Sequence, residues 1–121
     1  MRIGELQTKV NEWVVEAFGQ KIADDTTERN HRFLEESLEL VQSFGCTADE
    51  AHQLVDYVFG RPVGEANQEV GGVILTLMAL CNAKGIEVDR AAEREIERVW
   101  QKIDQIRAKQ ASKPQRSPLP Q

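Results

Sequence analysis

The chain has 121 residues, 40% of them apolar and 29% charged, with a formal net charge of −5. That length suits one domain burying about two-thirds of its unfolded surface without disulfide or metal staples. Residues 102–121 carry a charge of +4 and residues 1–101 carry −9, so the acidic body argues against a nucleic-acid polymer as partner and is compatible with a carboxylate site for a cation.

Hydrophobic spacing is helical throughout, with no sustained alternation and no Asn-Gly or Asp-Gly hairpin. Ile3, Leu6, Val10, Trp13 and Ala17 step by 3, 4, 3 and 4, which predicts a helix over 3–18 that stops at Gly19. A second helix is expected from Thr26 or Thr27 to Gly45. The third opens with a capping box, Thr47 to Glu50, and closes at Gly60–Arg61–Pro62. The fourth runs over 64–84 and ends at Gly85, a left-handed cap. It is apolar almost all round from Val70 to Cys81, so it is expected to be the central, buried helix. The fifth begins at Asp89 as N-cap and carries the stripe Ala92, Ile96, Val99, Ile103, Ile106, a short heptad seam for the monomer or for a second chain. Short connections make neighbouring helices antiparallel, so the expected fold is an all-α antiparallel bundle of about five helices over 1–111. Residues 112–121 form a Pro-rich basic tail that cannot be helical and has a disordered composition.

The stretch Val70–Cys81 falls short of the roughly 20 residues of a membrane span, and no secretory signal is expected at the start. Cys46 and Cys81 form neither a CxxC pair nor a disulfide framework. They read as buried thiols of a cytoplasmic protein.

The second helix places Glu35, Glu36 and Glu39 within one arc of about 100°. Such carboxylates repel one another unless neutralised. Arg32, three and four residues before Glu35 and Glu36, can supply that charge in a solvated, ion-paired face. Glu69 opens the otherwise apolar fourth helix, with Glu65 one turn earlier and Thr76 two turns later on its face. It reads either as a first-turn acid favoured by the helix N-terminus or as part of a site. Two bundle helices that bring such acids together make an oxygen-rich cage for a hard divalent cation, above all Mg²⁺.

Glu35–Glu36–Ser37–Leu38–Glu39 is an EExxE motif. About 30 residues on, a helix carries Glu69–Val70–Gly71–Gly72 where the related pattern is ExxD. It closes with Leu80–Cys81–Asn82–Ala83–Lys84–Gly85–Ile86–Glu87. Over residues 28–90 the chain resembles the all-α nucleoside triphosphate pyrophosphohydrolases, the MazG-like and dimeric dUTPase-like superfamily. The resemblance implies a homodimer or a dimer of dimers. It also implies cleavage of an NTP or dNTP to the monophosphate and pyrophosphate, in nucleotide-pool housekeeping. Mg²⁺, or Mn²⁺ in its place, would be held by Glu36, Glu39 and Glu69. Glu35 would hold a further metal or orient the attacking water.

Gly72 stands where the family has a fourth ligand, an Asp. Glycine supplies no ligand and weakens a helix by about 1 kcal/mol, so Gly71–Gly72 points to close approach of another backbone or to room for a ligand. Glu65 or water then replaces the Asp, or the second metal is weak, or the chain is a non-catalytic helical oligomer or nucleotide-binding module. Asn82 matches the family's asparagine and is a candidate for base or ribose, its alternative being a helix-end hydrogen bond. Trp100 lies beside its stripe and is the better base-stacking candidate, whereas Trp13 reads as core. Lys102, Arg107, Lys109, Lys113 and Arg116 are candidates for phosphate oxygens or for solvated surface. His31 reads as a surface histidine or a phosphate contact, and the spacing gives no zinc site.

Overall fold

A computed structural model of the protein describes residues 1–112. The described residues hold seven helices and no strand: α1 (Ile3–Phe18), α2 (Gln20–Ala23), α3 (Thr26–Ser43), α4 (Ala48–Phe59), α5 (Ala66–Lys84), α6 (Val88–Gln101) and α7 (Ile103–Ala111). The all-α class follows from the sequence; two of the helices do not. Gly19 at φ 87° turns the chain out of α1 and into the four-residue α2. The expected fifth helix breaks at Lys102, whose φ of −112° and ψ of 20° leave the helical region. A stripe stepping by 4 and 3 drifts off a straight helix by about 20° per heptad. The break re-aims α7 so that its Arg107 reaches the last turn of α1. The tail expected at 112–121 lies, Ser112 apart, outside the described residues.

The helix ends are closed locally. Asp25 Oδ1 accepts from the Glu28 N–H at 3.2 Å, the bond of a capping side chain at the start of α3. After α3, Gly45 takes φ 91° and the Cys46 N–H donates to the Val41 carbonyl at 3.0 Å. After α5, Gly85 takes φ 67° and the Ile86 N–H donates to the Cys81 carbonyl at 2.9 Å. Both are Schellman closures, in which glycine accepts a left-handed backbone that a Cβ would disfavour. The Thr47–Glu50 capping box forms in full: Glu50 N–H donates to Thr47 Oγ1 at 3.2 Å and Thr47 N–H to Glu50 Oε1 at 3.0 Å. Asp89 lies within the first turn of α6 rather than capping it.

The described chain packs as two units, residues 1–35 with 89 onward and residues 36–88, and α3 contributes to both. In the first unit α1 packs against α2 and α7. Arg107 Nε donates to the Ala17 carbonyl at 3.3 Å, and Nη2 donates to the Glu16 carbonyl. These bonds satisfy carbonyls that the end of a helix leaves without partners. The Trp13 and Phe18 rings meet edge to face at 5.4 Å, and the Arg29 guanidinium lies 5.6 Å from the Phe18 ring. In the second unit Lys84 Nζ lies 5.1 Å from the Phe44 ring.

Apolar burial is slight: among the described residues Ala17, Cys81 and Val99 form the buried apolar set. The expectation of a central, buried helix is corrected here. Val70 of α5 is 58% exposed and Leu75 is 71% exposed, while Ile74 and Leu80 are half-buried and Cys81 is buried. No single helix among the described residues is long and apolar enough to cross a membrane.

The capping box generates a prediction. Thr47→Ala is expected to lower stability by about 1 kcal/mol in urea unfolding followed by far-ultraviolet circular dichroism. The backbone N–H and the hydroxyl of Thr47 hold the Glu50 carboxyl below its ordinary pKa. A depressed carboxyl stabilises the fold above its unfolded pKa and loses that effect as pH falls through the folded value. Wild type should therefore shed this increment on acidification, and Thr47→Ala should shed less.

Candidate functional site

Glu35, Glu36 and Glu39 stand on one unbroken helix, α3. Arg32 ends the acidic row. Its Nη1 donates to Glu35 Oε1 at 3.2 Å, and its Nε lies 3.2 Å from Glu28 Oε1, the carboxylate one turn back. Glu28, absent from the sequence-based site, is thus the second partner of Arg32. It also accepts from Gln110 Nε2 of α7 at 2.8 Å. The i,i+4 spacing of Glu28 and Arg32 carries that signal in the sequence; nothing in the sequence points to Gln110, 82 residues away.

The same helix carries an arginine under electrostatic load. Burial pulls the Arg29 guanidinium below its ordinary pKa; Glu28 and Asp25 oppose that shift and Arg32 adds to it. Arg29 Nε and Nη2, Arg32 Nε, His31 Nδ1 and Trp13 Nε1 are buried without a hydrogen-bond partner. Arg32 Nε therefore meets Glu28 as an ion pair without hydrogen-bond geometry. His31, read as a surface histidine, is half-buried.

On α5 the geometry departs from a helix over 64–84. Glu65 is the N-cap, and its Oε2 accepts from the Gln68 N–H at 2.6 Å. It stands one turn before Glu69, whose N–H donates to the Glu65 carbonyl at 3.0 Å, but its side chain is engaged at the cap. Glu69 is exposed in the first turn, with its carboxylate folded over Gly64. A Cβ built on Gly64 would lie 2.7 Å from Glu69 Oε1. Beyond the neighbouring residues and the backbone of α5 itself, no atom of the described residues lies within 4 Å of a Cβ built on Gly71 or Gly72. Thr76 Oγ1 donates to the Gly72 carbonyl at 2.9 Å.

The candidate substrate residues divide between the units. Asn82 belongs to residues 36–88 and is exposed rather than buried; its carbonyl accepts from the Gly85 N–H at 3.3 Å. Trp100, 41% exposed, ends α6, while Lys102 forms the break before α7 and Lys109 lies in the last turn of α7. Arg107 is engaged at the end of α1. Lys113 and Arg116 lie outside the described residues. Cys46 Sγ lies 3.6 Å from the Thr47 carbonyl, and Cys81 is a buried free thiol.

Glu36, Glu39 and Glu69 supply the carboxylate oxygens that Mg²⁺ takes. The described residues nonetheless gather no group of three or more His, Cys, Asp or Glu side chains into a metal cage. The donor chemistry of these carboxylates suits the ion. In comparisons with known proteins, the chain matches no family model, no curated protein and no solved structure.

The open space at Gly72 has a measurable consequence. Gly72→Asp is expected to leave the melting temperature unchanged or raise it, since Asp exceeds Gly as a helix former by a few tenths of a kcal/mol. It should tighten Mg²⁺ binding in calorimetric titration, because the new carboxylate stands three residues from Glu69. A loss of several kcal/mol would instead mean that Asp is buried there without a partner.

Proposed function

We propose that the protein hydrolyses a nucleoside triphosphate to the monophosphate and pyrophosphate, in housekeeping of nucleotide pools. The observation that carries this reading is the acidic row Glu35, Glu36 and Glu39 on the single helix α3, followed in the chain by Glu69 in the first turn of α5. That order is the one the pyrophosphohydrolase resemblance rests on. Glu36, Glu39 and Glu69 are the residues that would hold Mg²⁺ or Mn²⁺. The ion would spread the negative charge of the phosphates, which is most of what such hydrolysis asks of a protein. Glu35 would orient the attacking water and accept its proton. Arg32, 3.2 Å away, fixes the place of that carboxylate on the helix. An antiparallel bundle completed by a homodimer, or by a dimer of dimers, belongs to the same reading.

One observation favours a second reading, a non-catalytic helical oligomer or nucleotide-binding module. Gly72 supplies no ligand, and the Glu65 carboxylate is engaged in capping α5. Pyrophosphate release from a panel of ribo- and deoxyribonucleoside triphosphates, with Mg²⁺ or Mn²⁺, separates the two. Under the first reading wild type releases pyrophosphate. Glu36→Gln and Glu39→Gln should each lower the rate about 100-fold or more, the scale of losing several kcal/mol of charge stabilisation, with melting temperatures unchanged. Nucleotide binding without release from any member of the panel supports the second. Wild-type rates in both variants would remove these residues from the site.

A further inference from the structure

Glu69 holds a conformation that its place in the helix does not require. Glu65 caps α5, so Gly64 is the residue before the cap and Glu69 the fourth residue after it. At these two positions apolar side chains commonly pack together across the start of a helix, because helical side chains lean toward the N-terminus. Here one position has no side chain and the other has an acid. The Glu69 side chain fills the space that the missing partner leaves. A Cβ built on Gly64 would stand 2.7 Å from Glu69 Oε1, 3.2 Å from Cδ and 3.4 Å from Cγ, its three nearest atoms outside the adjoining residues. Gly64 does not belong to the glycines at positive φ, which are Gly19, Gly45 and Gly85. Its backbone therefore accepts a side chain, and what a side chain would displace is the Glu69 carboxylate.

We propose that Gly64 is a positioning residue for Glu69: it gives the carboxylate a resting place over the start of α5, from which Glu69 swings out to hold a cation. This rests on the assignment of Glu69 to the metal in the proposed function. The resting place lies at the positive end of the α5 dipole, which favours an anion and disfavours a cation there. A carboxylate held in that place is withdrawn from the ion. The apparent affinity is then scaled down to the fraction of chains in which Glu69 has left it. A methyl group at position 64 closes the resting place while leaving the backbone path unchanged. Glycine at 64 thus keeps metal binding weaker than the carboxylates by themselves would make it.

The test uses the full chain and Mg²⁺ itself. Before the ion is added, NMR should show a cross-peak between a Gly64 Hα and the Glu69 Hγ protons, since Cγ lies 3.4 Å from the built Cβ. Saturating Mg²⁺ should weaken that cross-peak. In calorimetric titration Gly64→Ala should tighten Mg²⁺ binding about 3-fold or more, the gain when the conformer closed off held about two-thirds of the chains. The gain should vanish in a Glu69→Gln background, whereas a general effect of the methyl group on α5 would persist there. The proposal is overturned, and the proposed function left standing, by a missing cross-peak or by one undiminished in the Mg²⁺-loaded chain. Equal affinities of wild type and Gly64→Ala, or a gain that survives Glu69→Gln, do the same. A wild type that binds no Mg²⁺ overturns the proposed function, and this proposal falls with it.

Discussion

Uncovered apolar surface is the constraint on which the remaining features of this chain turn. Burying such surface is worth about 25 cal/mol per Å², and it is the term that ordinarily outweighs the entropy of ordering a chain. Here the buried apolar set among the described residues is Ala17, Cys81 and Val99. Several helix ends are well specified by hydrogen bonds made within a few residues, at Asp25, Thr47 and Glu65 and after Gly45 and Gly85. What those local bonds do not provide is a partner for the apolar flanks of α4 and α5. A helix in water is marginal without one.

Polar ties do part of the work of a core in the first unit. Arg107 joins α7 to the last turn of α1, Gln110 joins α7 to Glu28, and Arg29 lies over the Phe18 ring. These ties are directional, so they set where α7 runs more sharply than apolar contact would. They also shape the acidic row. Glu28 and Glu35 are drawn into the ion pairs of Arg32, which relieves repulsion at one end of the row. The EExxE segment continues beyond that end, along the same helix, into the second unit.

The carboxylates show where one-dimensional and three-dimensional information part. Glu35, Glu36 and Glu39 share an arc because a helix has 3.6 residues per turn, and that relation needs no tertiary contact. Bringing Glu69 to them is a matter of how α3 and α5 pack. Glu65 illustrates the same limit on a smaller scale. Its spacing from Glu69 suggests one helical turn. That relation holds, since the Glu69 N–H donates to the Glu65 carbonyl at 3.0 Å, but the extended backbone of Glu65, at φ −94° and ψ 130°, makes it the cap whose carboxylate serves Gln68.

The sequence by itself determined the helical class, the left-handed glycines at Gly45 and Gly85, the Thr47–Glu50 box and the order of the acids along the chain. Each depends on residues no more than a few positions apart, where the backbone dictates the geometry. Only the tertiary structure decided that the last predicted helix breaks at Lys102, that Arg107 is spent on the end of α1, and that Glu28 lies between Arg32 and Gln110. It also decided that α5, the most apolar helix, is exposed along Leu75. Hydrophobic periodicity records that a face wants cover, whereas the cover itself is a contact between distant elements, and no local pattern encodes which element supplies it.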